Sequence, residues 1–215
     1  MLRHLFLSVI LLCCGCLLFS GKSAAVPLQY ALDKYKDKEV SLQSLKRLAP
    51  YNRLIHYYSQ FTFFRPQHKV SPDFIRALIL AESSADPQAV STKGALGLCQ
   101  IIYTTGKQAA KELSSSQFTF NHVSRETLAH LQEEDLFDPA INILLTCYLI
   151  SKYNYRFNGQ LELVLSAWNA GENLLILKEG RPAPYQETHN LIGKVNAYYI
   201  DLLQKRKRRA LQHKR

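Results

Sequence analysis

The stretch Ser71-Pro72-Asp73-Phe74-Ile75-Arg76-Ala77-Leu78-Ile79-Leu80-Ala81-Glu82 carries a full set of helix-start signals. A hydroxyl stands at the cap, a proline with its fixed φ at the first position, and an acid in the first turn at the positive end of the helix dipole. Phe74, Ala77, Leu78 and Ala81 recur at i, i+3, i+4 and i+7, and Ile75 and Ile79 widen the apolar stripe. Glu82 falls at i+4 from Leu78, i+3 from Ile79 and i+7 from Ile75, so helical geometry puts its carboxylate on the apolar side. Burial disfavours the charged form of a carboxyl and raises its pKa, and a general acid near neutral pH needs a proton to give. Taken alone, this helix fits a glutamate that simply reaches solvent better than it fits an acid catalyst.

Outward from this helix the pattern stays helical. Asp138 to Tyr155 has Ile141, Leu144, Leu145, Tyr148 and Leu149 at helical spacing, Gln160 to Trp168 is a third stretch, and Leu191 to Gln204 a fourth. Weaker helices are predicted around Leu42 to Leu48 and Tyr51 to Phe61. Ser114 to Asp135 reads as an insertion with a polar beginning and an acidic end. Sustained strand alternation is missing, as is any repeat at a fixed period of about 20 to 50 residues. The expected fold class is mainly α.

The chain has 215 residues, with 27 Lys and Arg against 17 Asp and Glu. The excess sits at the ends: Arg3 and Lys22 near the start, and seven basic residues from Lys205 to Arg215, with no acid in either segment. Positions 26 to 204 hold 18 basic against 17 acidic residues, so a basic surface that tracks a nucleic-acid backbone is excluded as the default reading. At 47% hydrophobic and 20% charged, the body has the composition of a globular domain. The expected organisation is a signal peptide at 1–25, an N-terminal helical segment packing on the core at 26–70, one catalytic domain at 71–204, and a basic tail at 205–215.

Arg3 and His4 precede an apolar run from Leu5 to Phe19, followed by Ser20 to Ala25 with small residues at the cleavage positions. Fifteen residues are short for a membrane span, which needs roughly 20, so export with cleavage after Ala25 leads over an uncleaved anchor. Gly15-Cys16 leaves a lipid anchor as a third option, weakened by Cys13 three positions earlier and by the apolar residues that follow. The expected location is the periplasm or cell envelope. Cleavage would leave Cys99 and Cys147, both in apolar surroundings. Two buried thiols is the leading expectation over a disulfide, and no His joins them at metal-ligand spacing.

Glu82-Ser83-Ser84-Ala85-Asp86-Pro87, then Ser91 and Gly94-Ala95-Leu96-Gly97-Leu98-Cys99-Gln100, resemble the first two motifs of the soluble lytic transglycosylase family. Asp138-Pro139 with Asn142-Ile143 is similar to the helix that follows them, Ala167-Trp168-Asn169-Ala170-Gly171 to the third motif, and Glu187-Thr188 with Ile192 and Val195 to the last block. The resemblance runs from about Pro72 to Tyr199, four blocks in the family's order.

It implies a lysozyme-like α fold, of the goose-type lysozyme and transglycosylase kind, with a groove for peptidoglycan glycan strands. It further implies Glu82 as the acid that protonates the glycosidic oxygen between N-acetylmuramic acid and N-acetylglucosamine. Ser91, Gln100, Trp168, Asn169, Gly171 and Glu187 are the matching candidates for substrate binding. Hydroxyl and amide side chains suit a polar sugar, since they offer donors and acceptors without charge, and glycine lets backbone approach a ring closely. Ordinary glycosidases use two carboxylates. No second acid stands in a matching block beside Glu82, and Asp86 before Pro87 reads as a turn residue. The resemblance therefore implies help from the substrate's own N-acetyl oxygen, closure of a 1,6-anhydro ring, and no metal or organic cofactor.

Three positions depart from the family pattern. Leu191 stands where the family has a tyrosine aimed at the acid, Cys99 where it has methionine, and Trp168 where it has tyrosine. Tyr198, Tyr199 and Tyr103 are the candidates to replace the lost phenol, and Trp168 is either a sugar-stacking face or a core aromatic. Two alternatives stand beside the lyase: a peptidoglycan-binding protein weakened in turnover, and a muramidase. The tail reads first as a solvated, partly helical end, with attraction to an anionic membrane surface or envelope polyanion as the functional alternative. The resemblance leaves two roles open, wall turnover and service to an envelope secretion complex, and the sequence does not choose between them.

Overall fold

The computed structural model describes residues 27–212; the targeting segment expected at 1–25 lies outside them, as do the last three residues of the basic tail. Ten α-helices are found among the described residues: α1 (Leu28–Tyr35), α2 (Leu42–Leu48), α3 (Asn52–Ser59), α4 (Pro72–Glu82), α5 (Tyr103–Ser114), α6 (Arg125–Ala129), α7 (Pro139–Arg156), α8 (Leu161–Ala170), α9 (Leu175–Lys178) and α10 (Gln186–Gln212). Two short strands, β1 (Ala95–Leu96) and β2 (Ile101–Ile102), pair antiparallel between α4 and α5.

α7 is the hub. Its residues from Ala140 to Ser151 are all buried, as is Tyr153, so it is covered on every face by other parts of the chain. Asp138 starts it by accepting a hydrogen bond from the Ala140 N–H at 2.6 Å, with Pro139 at the first helical position. α3, α5 and α8 pack around it, and α4 lies against α3 and α10. α1 lies along α10, and the approach is close because position 193 is glycine: a Cβ there would stand 2.5 Å from the Ala31 carbonyl oxygen.

Ser71 occupies the N-cap of α4, but its hydroxyl makes no capping bond; its backbone carbonyl accepts from Phe74 and Ile75 instead. The expected fourth helix proves longer than Leu191 to Gln204, beginning five residues earlier and continuing to Gln212. The stretch read as an insertion is partly ordered by aromatic packing. Phe118 and Phe120 sit against Phe61, with ring centroids 6.0 and 5.1 Å away, next to the short helix α6. Cys99 and Cys147 are free thiols with no exposed surface, and burial pushes the Cys147 thiol up to about 12. No described helix is long and apolar enough to cross a membrane.

Candidate active site around Glu82

Glu82 is the last residue of α4, and the chain turns sharply after it. Ser84 and Ala85 both take left-handed backbone angles, φ 57° and 66°. This conformation is costly for residues with a Cβ and is held only when the surroundings fix it. They are fixed here by Ser83, whose Oγ donates to the Leu98 carbonyl at 2.7 Å, and by Asp86, whose carboxylate accepts from the Gln88 N–H at 2.9 Å. Asp86 is thus the turn residue its place before Pro87 predicts.

The loop that follows folds back over α7 and is pinned there by Asn142. This fully buried side chain accepts from the Cys99 N–H at 3.0 Å and donates to the carbonyls of Leu96 (3.1 Å) and Leu136 (2.8 Å). Gly97 is the contact point: at φ 73° its missing Cβ would meet the Leu136 oxygen at 2.3 Å. Asn142 was not among the expected site residues. The signal for it was present as a lone amide inside the apolar run Ile141 to Ile150.

Trp168, near the end of α8, directs its indole N–H at the acid, with Nε1 donating to Glu82 Oε1 at 2.8 Å. Among the described residues none of the three tyrosines weighed as replacement donors hydrogen-bonds Glu82, whereas Trp168 does. Tyr103 donates to the Leu131 carbonyl at 3.0 Å, the Tyr199 ring meets Phe74 edge-on at 5.7 Å, and Lys38 lies over Tyr198. Leu191 is buried in the core face of α10. The 86 residues between Glu82 and Trp168 put this pair beyond any local sequence pattern.

Burial pushes the Glu82 carboxyl up from 4.5 to about 7. The Trp168 hydrogen bond and the Lys194 ammonium oppose the rise, while the Glu187 carboxylate adds to it. Near neutral pH, both the acid and the base form of this group are therefore populated.

The remaining candidates are disposed as follows. Ser91 Oγ accepts from the backbone N–H of Lys93 (3.2 Å) and Ala95 (2.9 Å), so it shapes its turn. Gln100 has a left-handed φ of 52°, and its amide nitrogen donates to the carbonyls of Ala89 and Gly97, both at 3.0 Å. Both of its amide hydrogens thus bond within the loop. Asn169 Oδ1 accepts from the buried Thr188 hydroxyl at 2.6 Å, which ties the end of α8 to the start of α10. Glu187 pairs with Lys93 across the gap between the Ser91 turn and α10, with both side chains well exposed. Gly171 ends α8 at φ 95° with open space where a Cβ would stand. The neighbouring Glu172 is held by Lys152 and Arg156 of α7. The structure thus gathers Glu82 and Trp168 directly, and brings the Ser91 turn, the end of α8 and the start of α10 around them.

Residues 62–190 match the family described as the Transglycosylase SLT domain. A Haemophilus influenzae protein named as a soluble lytic murein transglycosylase is 29% identical over 167 residues, covering 71% of this chain and 26% of its own length. Among solved structures, an inactive variant of the lytic transglycosylase Slt of Pseudomonas aeruginosa superposes with a TM-score of 0.57 at 20% identity, over 74% of this chain and 25% of that one. The 70 kDa soluble lytic transglycosylase of Escherichia coli does so with a TM-score of 0.54 at 21% identity, over 80% of this chain and 28% of that one. The chain spans about a quarter of the length of these relatives.

Proposed function

Because the chain belongs to the Transglycosylase SLT domain family, we propose that it is an exported peptidoglycan lytic transglycosylase in which Glu82 serves first as acid and then as base. The observation that carries this reading is the Glu82 carboxyl itself, hydrogen-bonded by the Trp168 indole at 2.8 Å and pushed up to about 7 by burial. Protonated Glu82 gives its proton to the glycosidic oxygen as the bond from the muramic C1 breaks. The N-acetyl carbonyl oxygen of the same sugar closes on C1 and takes up the developing positive charge. Glu82, now a carboxylate, removes the proton from the muramic 6-hydroxyl, and that oxygen displaces the N-acetyl oxygen from C1. The acid ends in its starting form, the product carries a 1,6-anhydro ring, and no water is consumed. Ser91, Gln100 and Asn169 frame the groove in this reading, and the apolar segment from Leu5 to Phe19 supports export to the periplasm, where the wall lies.

Glu187 is the observation that keeps the hydrolase alternative open, since its charge reaches Glu82 and a hydrolase needs a second carboxylate to activate water. Its exposure and its pairing with Lys93 favour a framing role. Mass analysis of fragments released from purified peptidoglycan separates the readings. Fragments lighter by one water than hydrolysis products are expected from the wild type and from Glu187→Gln, and none from Glu82→Gln. Full-mass fragments that disappear in Glu187→Gln would establish a muramidase. No release by the wild type would leave a glycan-binding protein.

A further inference from the structure

On the side of the molecule formed by α2 and the C-terminal half of α10, the two helices diverge around a cleft of about 580 Å³, within the size range of ligand pockets. Each helix presents one face to it. On α2 this face is Leu42, Leu45, Lys46 and, just past the helix, Ala49; on α10 it is Leu202, Lys205, Arg206 and Arg209. Both sets run i, i+3, i+4, i+7, so each is a true helical stripe. The stripe on α2 is mainly apolar, with Leu42 77% exposed, and the stripe on α10 is mainly cationic. An anion with a long apolar part matches both stripes.

The charges in the cleft are only partly compensated. Asp73 at the floor is taken up on both sides, by Arg76 Nη1 at 2.9 Å and Arg206 Nη1 at 2.8 Å, and Lys205 is held by Asp201 with Glu39 nearby. Lys46 and Arg209 have no ion pair among the described residues, although both line the cleft. Two unpaired cations beside the exposed Leu42 and the half-buried Leu45 are what a phosphate headgroup with an acyl chain would meet.

We propose that this cleft binds one anionic phospholipid, with its phosphate between Lys46 and Arg209 and an acyl chain along Leu42 and Leu45. The site is separate from Glu82, and the proposal stands whether or not the chain cleaves peptidoglycan. It gives the basic C-terminal helix a specific address at a membrane surface in place of diffuse attraction.

Titration calorimetry of the full-length chain with monomeric short-chain phosphatidylglycerol tests it, run beside phosphatidylcholine of the same chain length and beside glycerol phosphate. Saturable binding of phosphatidylglycerol is expected, at least tenfold tighter than of the other two. Lys46→Glu combined with Arg209→Glu should weaken that binding at least tenfold, since each surface charge contributes about fivefold, without changing the melting temperature of the lipid-free chain. Leu45→Asn should reduce phosphatidylglycerol binding but leave the weak glycerol phosphate binding unchanged. Equal affinity for phosphatidylcholine would show that the cations of the cleft do not read the headgroup and overturn the proposal. Equal affinity for glycerol phosphate would make the cleft a bare phosphate site, and no binding in any arm would leave it to a protein partner; both outcomes overturn it.

Discussion

Replacing the Trp168 indole by a ring without an N–H tests what the 2.8 Å contact does for the acid. A hydrogen bond to a charged group contributes about 1.5–3 kcal/mol, so Trp168→Phe should slow fragment release by roughly 10- to 100-fold while substrate affinity changes less. The direction of the pH effect follows from which form the indole favours. An N–H donor stabilises the carboxylate and holds the pKa of Glu82 down against burial. Removing it should move the alkaline limb of the rate profile, which otherwise falls near pH 7, to higher pH. A slower enzyme with an unmoved limb would mean that Trp168 acts only by filling space. Trp168 also shows where sequence reading stops. Its place in the third block is legible, but its bond to Glu82 joins two helices 86 residues apart in the chain, and no local pattern announces it.

At the scale of elements, the loop from Ser83 to Gln100 holds the site because three of the four left-handed non-glycine residues among the described residues lie in it, and Asn142 keeps them there. Asn142→Ala leaves the Cys99 N–H and two carbonyls without their partner in a dry interior. The expected cost is about 3 kcal/mol or more, read as a lower urea midpoint, with activity falling further than the folded fraction because the loop beside Glu82 loosens. A loss below about 1 kcal/mol would show that water replaces the amide. Elements with dense periodicity, α4, α7 and α8, are legible in sequence because each buries a face made of its own residues. α1 and α5 are not. α5 opens with Tyr103, Thr104, Thr105 and Gly106, poor helix formers, and is held by the buried positions Gly106, Ala109, Ala110 and Leu113. α1 has eight residues, of which only Ala31 is buried, and it is fixed by a glycine 162 positions away on α10. Tertiary packing makes these helices, so local pattern could not announce them.

For the molecule as a whole, a carboxyl kept in an apolar setting makes stability depend on pH. In the unfolded chain Glu82 loses its proton near its ordinary value of 4.5, whereas in the folded protein it holds the proton until about 7. Between these values the folded state binds more protons than the unfolded one, so stability falls as pH rises and levels off only above about 7. At 1.36 kcal/mol for each pH unit between the two values, the loss is about 3–4 kcal/mol, a sizeable part of the about 5–15 kcal/mol that holds a domain folded. Glu82→Gln has no proton to lose and retains an oxygen to accept the indole N–H. It should therefore match the wild type in denaturant midpoint near pH 4 and exceed it in stability by about 3–4 kcal/mol near pH 8, while releasing no glycan fragments. Parallel pH curves for the two proteins would mean that Glu82 ionises as it does in water, which would remove the reason for assigning it the proton transfer. A gap that opens through neutrality would instead show the folded chain giving up stability to keep a protonated acid at the pH where it works.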